Sequence, residues 1–196
     1  MTASLEPQEL TKGQLLLTEL QHLKSEQTQR INTRDHLMYA TLGSLAAVLA
    51  AVFQQGQHLG RLLLLPPVTL VLGWMYLVND EKVSAIGRYI RCDLAPRLSA
   101  VVQSGANSHQ SEVPPLLGWE LAHRSDPRRT SRKRLQLAAD LGLFTLTPLG
   151  ALTVYWASGT VDTWLLAVSL SEVLAVLVLG VQIVTYADLR REPPST

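Results

Sequence analysis

The chain has 196 residues, a length typical of one domain, with 47% hydrophobic residues, 17% charged residues and a formal net charge of +1. A balanced charge gives no electrostatic reason to expect nucleic-acid binding, and the single cysteine, Cys92, excludes a disulfide framework within the chain. The charges are segregated from four long apolar stretches, and this pattern is typical of a membrane protein.

The first predicted element is a helix over residues 7–35, a segment with one glycine, Gly13, after its opening proline. Its apolar residues recur near one face: Leu16, Leu20, Leu23 and Ile31. Gln27 interrupts this stripe. We therefore expect an amphipathic helix that either forms a coiled coil or packs on a neighbouring helix of the same chain.

Four apolar stretches are long enough to cross a bilayer, which needs about 20 residues and at least roughly 17. They are residues 37–53, 62–78, 135–156, whose uncharged part begins at Leu141, and 164–186. The sequence predicts an all-α polytopic membrane protein with four transmembrane helices and cytoplasmic helical extensions.

The fourth stretch has no polar face of the kind that a soluble helix keeps. Thirteen of its residues are Leu, Val or Ile, and each favours membrane insertion by about 0.3–0.6 kcal/mol. Their total of about 4–8 kcal/mol exceeds the roughly 3 kcal/mol that a central acidic residue, here Glu172, costs. The membrane interpretation is therefore favoured for this stretch.

Pro66 and Pro67 lie inside the second stretch. Because proline is tolerated in the first turn of a helix, we expect the helix to begin there. Residues 62–65 would then form an entry segment at the outer interface.

The second helix is predicted to continue beyond the membrane, since apolar residues recur at helical spacing at Val83, Ile86, Ile90 and Leu94. Pro96 should kink or end it. We expect this extension to pack against the helix over residues 7–35 through their apolar stripes.

The rest of the middle segment is predicted to hold a loop over residues 104–115, a short interfacial helix over 116–122 and a basic cluster over 124–134. The basic cluster includes Arg128, Arg129, Arg132, Lys133 and Arg134. It is interpreted first as a positive anchor beside the third span and second as a site for anionic lipid headgroups. Nucleic-acid binding is not expected, because no aromatic residues are interleaved with the charges.

The basic residues predict the orientation of the chain. Of the 17 Lys and Arg residues, Arg61 alone falls in a loop assigned to the outside. This distribution places both termini and the middle loop in the cytoplasm of a bacterial cell with the protein in its inner membrane. The predicted layout is residues 1–35 as a cytoplasmic helix, 36–78 as two spans, 79–134 as a cytoplasmic helix and basic loop, 135–186 as two spans, and 187–196 as a cytoplasmic tail.

Two acidic residues in the spans are candidate functional groups. Glu172 lies near the middle of the fourth span and shares a face with Ser169, Ala175 and Val176. It is either a pore-lining or proton-relay carboxylate, or a hydrogen-bonded residue that holds the bundle together. Asp140 lies a turn or more inside the third span, at a depth where Arg34 offers an ion pair, and it is not expected to pair with Glu172.

Small residues at four-residue spacing occur on the first span at Gly43, Ala47 and Ala51. Such spacing permits close helix approach and predicts a helix–helix seam, within one chain or between chains.

The sequence has none of the common catalytic motifs: no P-loop, no dinucleotide fingerprint and no GxSxG. Its five histidines form no short-spaced ligand pair with one another or with Cys92. We therefore expect no enzyme activity, no metal and no cofactor.

Two segments, RINTRDHLMYATLGSLAAVLA over residues 30–50 and YLVNDEKVSAIGRYIRCDLAPRL over 76–98, resemble small integral membrane proteins of actinobacteria. The layout is also similar to the SLATT and S-4TM membrane modules of bacterial conflict systems, which have two or four spans with cytoplasmic helices. The resemblance implies a pore-forming effector and assigns no functional residue.

These observations predict a homo-oligomeric membrane module, channel-like or an effector, that contacts membrane lipids. The alternative is a non-catalytic scaffold or accessory subunit that binds a cytoplasmic protein partner.

Overall fold

The computed structural model describes residues 7–54, 59–105, 129–159 and 162–187, without the side chains of residues 7–11, 105, 129 and 130. All regular structure in these ranges is helical. The elements are α1 (Pro7–Phe53), a 3-10 helix (Leu59–Leu64), α2 (Leu65–Tyr89), a π-helical turn (Ile90–Leu94), α3 (Ala95–Gly105), α4 (Arg129–Leu141), a second π-helical turn (Gly142–Leu146), α5 (Thr147–Ala157) and α6 (Thr163–Tyr186).

Four helical stretches are long and apolar enough to cross a membrane, so the predicted all-α, four-span fold class is confirmed. They are Lys12–Phe53, Leu59–Ser104, Ser131–Ala157 and Thr163–Tyr186. The first two have 42 and 46 residues, about twice the 20 or so that a bilayer core requires. Only part of each of these two helices is therefore needed within lipid.

The α-helix of the second span begins at its prolines, as the sequence predicts. The α2 helix starts at Leu65, so Pro66 and Pro67 occupy its first turn, where the missing backbone N–H costs nothing. The preceding residues, Leu59–Leu64, form a tighter 3-10 helix that connects to α1.

The helix does not end at Pro96. The chain stays helical through this residue, and the irregularity precedes it as the π-helical turn Ile90–Leu94. The third span repeats the arrangement, because the turn Gly142–Leu146 also ends two residues before a proline, Pro148. A proline ring crowds the carbonyl four residues earlier, and in both cases that carbonyl lies inside the wider π-helical turn.

The chain divides into two compact units. The first, which we call the extension unit, comprises Met1–Asn32 and Asp80–Pro127, and the second, the span unit, comprises Thr33–Asn79 and Arg128–Thr196.

The extension unit is built around four buried residues, the Leu94 cluster: Leu16, Ile90, Leu94 and Leu98. Leu20, Leu23 and Ile86 pack against it, so the two predicted stripes meet within one chain. Ile31, at the end of the predicted stripe, is exposed instead.

The interruption of the stripe at Gln27 has a structural counterpart. The Gln27 side-chain amide lies 3.5 Å from the Val83 carbonyl and donates a hydrogen bond to it. A second polar contact, between the Tyr89 hydroxyl and Glu19 at 2.7 Å, also joins the two helices.

The span unit contains two apolar clusters. The Phe144 cluster comprises Leu37, Tyr76, Leu77, Phe144, Leu179 and Ile183, and the Leu65 cluster comprises Val52, Leu62, Leu65 and Ala151. The rings of Tyr76 and Phe144 lie 5.2 Å apart between centroids. All four spans contribute to the Phe144 cluster, so it forms the common core of the bundle.

Several sequence predictions lie outside the described residues. These are most of the loop over 104–115, the interfacial helix over 116–122, the side chains of Arg128 and Arg129, and the tail beyond Ala187.

Candidate functional site in the membrane-spanning bundle

Polar side chains lie among the apolar ones inside the span unit. The buried examples are Thr41, Thr69, Asn79, Asp140, Thr145 and Ser169. Because lipid offers no hydrogen bonds, each such group needs a partner within the protein or on a bound molecule. The positions of these partners locate the candidate site.

Glu172 is half-buried and lies on the side of α6 that faces the bundle. On the same face of α6, Ser169 and Val176 are fully buried, while Leu170 and Leu174 on the other side are exposed. The carboxyl oxygen Oε2 of Glu172 is enclosed and has no hydrogen-bond partner among the described residues. Glu172 therefore presents an unsatisfied acidic group inside the fourth span.

A hydrogen bond joins the third and fourth spans one turn before Glu172. The indole N–H of Trp156 donates to Ser169 Oγ at 3.0 Å, and this hydroxyl donates in turn to the Leu166 carbonyl at 2.9 Å. These two bonds satisfy the side-chain donors of Trp156 and Ser169 and join α5 to α6.

A second polar group surrounds Tyr76 in the Phe144 cluster. The Gln136 side-chain amide donates to the Tyr76 hydroxyl at 3.4 Å, and the same hydroxyl hydrogen-bonds to Asp140. Arg34 is close enough to act on Tyr76 electrostatically. We call Arg34, Tyr76, Gln136 and Asp140 the Tyr76 group. Arg34 and Asp140 thus both act on Tyr76, and Arg34 Nε also lies 3.7 Å from Oδ1 of the neighbouring Asp35. The ion pair between Arg34 and Asp140 stays a prediction.

Thr145 is a further buried polar residue of the span unit. Its hydroxyl is buried and has no hydrogen-bond partner within the part of the chain that the structure describes. By contrast, the hydroxyls of Thr41 and Thr69 donate to carbonyls of their own helices, at 2.7 and 2.8 Å. Thr145 lies in the π-helical turn Gly142–Leu146, where the regular spacing that brings a threonine to such a carbonyl is interrupted.

The two acidic residues lie at different levels of the bundle. Thr145 of the third span contacts Gly180 of the fourth, and Trp156 of the third span contacts Ser169 of the fourth. The two contacts are eleven residues apart along each span. This constant antiparallel register puts Asp140 about 13 residues, or roughly 20 Å, from the level of Glu172. The two carboxyls do not form a paired site.

Arg61, the one basic residue assigned to the outside, has a structural role. Its guanidinium donates to the Ala51 carbonyl in the last turn of α1. A cation at this position satisfies a terminal carbonyl and stabilises the negative end of the helix.

The predicted small-residue seam makes no close helix contact among the described residues. Gly43 and Ala47 are exposed, Ala51 is half-buried, and a Cβ added at Gly43 would meet nothing within 4 Å. The close helix approach occurs instead at Gly73 and Gly180.

The described members of the predicted lipid-headgroup cluster lie in α4. Arg132 and Arg134 are exposed and Lys133 is half-buried. Within the described residues, no three His, Cys, Asp or Glu side chains come together in a metal-binding arrangement.

No protein-family model, curated protein or solved structure gives a significant match to the chain. The resemblance to membrane effector modules therefore stays a prediction.

Sequence reasoning found Glu172, Asp140 and Arg34 because a charge stands out in an apolar stretch. It missed Tyr76 and Thr145, since neither residue type is unusual in a membrane helix. The sequence feature that could have pointed to Thr145 is Pro148, because a proline three residues later marks the π-helical turn Gly142–Leu146.

Proposed function

We propose that the chain is a homo-oligomeric, channel-like module of the bacterial inner membrane. The observation that carries the proposal is Glu172, an ionisable residue near the middle of the fourth span with one oxygen enclosed and unsatisfied. Intramembrane carboxylates are costly and typically mark ion or proton pathways. In this proposal Glu172 binds and releases the conducted ion.

The proposed orientation has both termini and the extension unit in the cytoplasm. It is supported by the distribution of Lys and Arg, of which 16 of 17 fall on one side of the four spans. The extension unit then provides a separate helical body that can receive a cytoplasmic signal and gate the spans. The basic residues Arg132, Lys133 and Arg134 would lie at the level of anionic headgroups.

The test is a planar-bilayer recording of the purified full-length protein. We expect unitary currents from the wild type, a reduced current from Glu172→Gln, and wild-type current from Ser171→Ala. Ser171 is the matched control because it is the adjacent residue and is exposed, with its hydroxyl bonded to the Val168 carbonyl. Absence of current in every oligomeric state would refute the proposal.

A second candidate function is a membrane scaffold that binds a cytoplasmic protein. The observation that favours it is the exposure of Leu15 and Leu17, 66% and 49%, on either side of buried Leu16 in the extension unit. A full-length variant with Leu15→Glu and Leu17→Glu discriminates between the two. A scaffold loses its co-purifying partner in this variant, whereas a channel keeps its conductance.

A further inference from the structure

Three polar groups of the span unit lie at successive levels along the third and fourth spans. By the antiparallel register of the third and fourth spans, Glu172 lies one turn from Ser169, Thr145 lies at the level of Gly180, and Asp140 lies beyond it. From Glu172 to the level of Thr145 is eight residues, about 12 Å, and from there to Asp140 is a further five, about 7 Å. These three groups therefore extend across much of the apolar layer of the membrane.

Two of these groups have unsatisfied oxygens. Glu172 Oε2 and Thr145 Oγ1 are both enclosed without a hydrogen-bond partner among the described residues, and Thr145 is 8% exposed. A buried polar atom without a hydrogen bond is unfavourable, so such atoms mark places where a water or an ion is held. Their positions indicate two binding sites for a transferred ion.

The core beside Thr145 is too tight for a hydrated cation. A Cβ at Gly73 would lie 2.8 Å from Leu179 Cδ2 and 2.9 Å from Phe144 Cδ1, and the side chains of Leu179 and Phe144 are fully buried. At the same level, a Cβ at Gly180 would lie 3.0 Å from Thr145 Oγ1. Thr145 is thus a buried hydroxyl beside the closely packed side chains of Phe144 and Leu179, which we call the constriction.

We infer that each protomer carries its own proton path, from Glu172 past the constriction at Thr145 to Asp140 and Tyr76. The inference rests on the proposed channel-like function and names the proton as its ion. A hydroxyl accepts one hydrogen bond and donates another, so it passes a proton on without net change.

The steps balance. Protonated Glu172 gives its proton to a single-file water. Thr145 Oγ1 accepts a proton from this side while its own hydrogen moves to a water on the other side. The Asp140 carboxylate then receives a proton and releases it beside Tyr76, Gln136 and Arg34, and Glu172 is reprotonated from the far side.

The closing experiment uses the full-length protein in proteoliposomes with an internal pH dye, together with bilayer recordings under separate proton and K⁺ gradients. We expect the reversal potential to follow the proton gradient and not the K⁺ gradient. Glu172→Gln and Thr145→Val should each lower the proton flux by about tenfold or more, because the loss of one hydrogen bond raises the free-energy barrier to proton transfer.

Two further variants separate a role in transfer from a role in folding. Thr145→Ser keeps the hydroxyl and should retain the flux. Thr185→Val removes an exposed hydroxyl that is bonded to the Val181 carbonyl, and it should leave the flux unchanged.

The outcomes distinguish this inference from the proposed function. A K⁺-selective current, or a proton flux that Thr145→Val leaves intact, overturns the path within the protomer while the channel survives. Absence of any current overturns both.

Discussion

At the scale of single residues, Gly73 shows how the span unit is held together. Lipid tails are as apolar as leucine, so helices in a membrane associate through close packing rather than through exclusion of water. Gly73 lets α2 approach Phe144 and Leu179 so closely that no Cβ fits between them. A glycine is required here by the neighbours on the facing spans, not by backbone conformation.

We predict that Gly73→Ala destabilises the protein by about 1–3 kcal/mol, because Phe144 and Leu179 must shift within a filled core. Denaturant unfolding in detergent micelles would measure the change. Gly43→Ala is the matched control and should cost nothing, since its Cβ enters open space. Equal stability of the two variants would contradict the packing described for the bundle.

Sequence reasoning could identify those residues that carry a charge within an apolar stretch. Glu172 and Asp140 stand out in an apolar stretch, and their separation in depth follows from counting residues. Tyr76 and Thr145 became visible when the fold placed one beside Asp140 and the other beside Gly180. Such contacts between spans leave no mark in a single sequence, because each partner looks ordinary in its own segment.

At the scale of elements, the prolines have two effects. Pro66 and Pro67 begin α2, which the tolerance of proline in a first turn predicts. Pro96 and Pro148 lie within continuous helical stretches, each after a π-helical turn. Sequence periodicity predicts the apolar face on either side but not the extra residue in such a turn, since one residue hardly disturbs a helical pattern.

The first π-helical turn supplies the centre of the extension unit, because Ile90 and Leu94 at its two ends are both fully buried. We predict that Leu94→Ala lowers the local opening free energy of residues 80–100 by about 2–5 kcal/mol, owing to the lost packing and the cavity left behind. Hydrogen–deuterium exchange on the full-length protein would measure it. Val102→Ala, at a residue 42% exposed, should change the same quantity by less than about 0.5 kcal/mol. Indistinguishable exchange in the two variants would mean that the Leu94 cluster does not hold the unit together.

At the scale of the whole molecule, hydropathy and length were sufficient to predict four spans, and the distribution of basic residues gives them a proposed direction. The functional proposals follow from this arrangement, because Glu172 needs a partner or a transferred ion chiefly when lipid surrounds its helix. If these helices were packed in water-soluble protein instead, the same carboxyl could reach solvent by a small rearrangement.

The chain offers a direct test of this arrangement, since Cys92 is its sole cysteine and is exposed in the extension unit. A membrane-impermeant maleimide should label Cys92 in inside-out vesicles and not in intact spheroplasts. In a Cys92→Ser background, Ser158→Cys, an exposed position between the third and fourth spans, should show the opposite pattern. Labelling of both positions from the same side would contradict the four-span account.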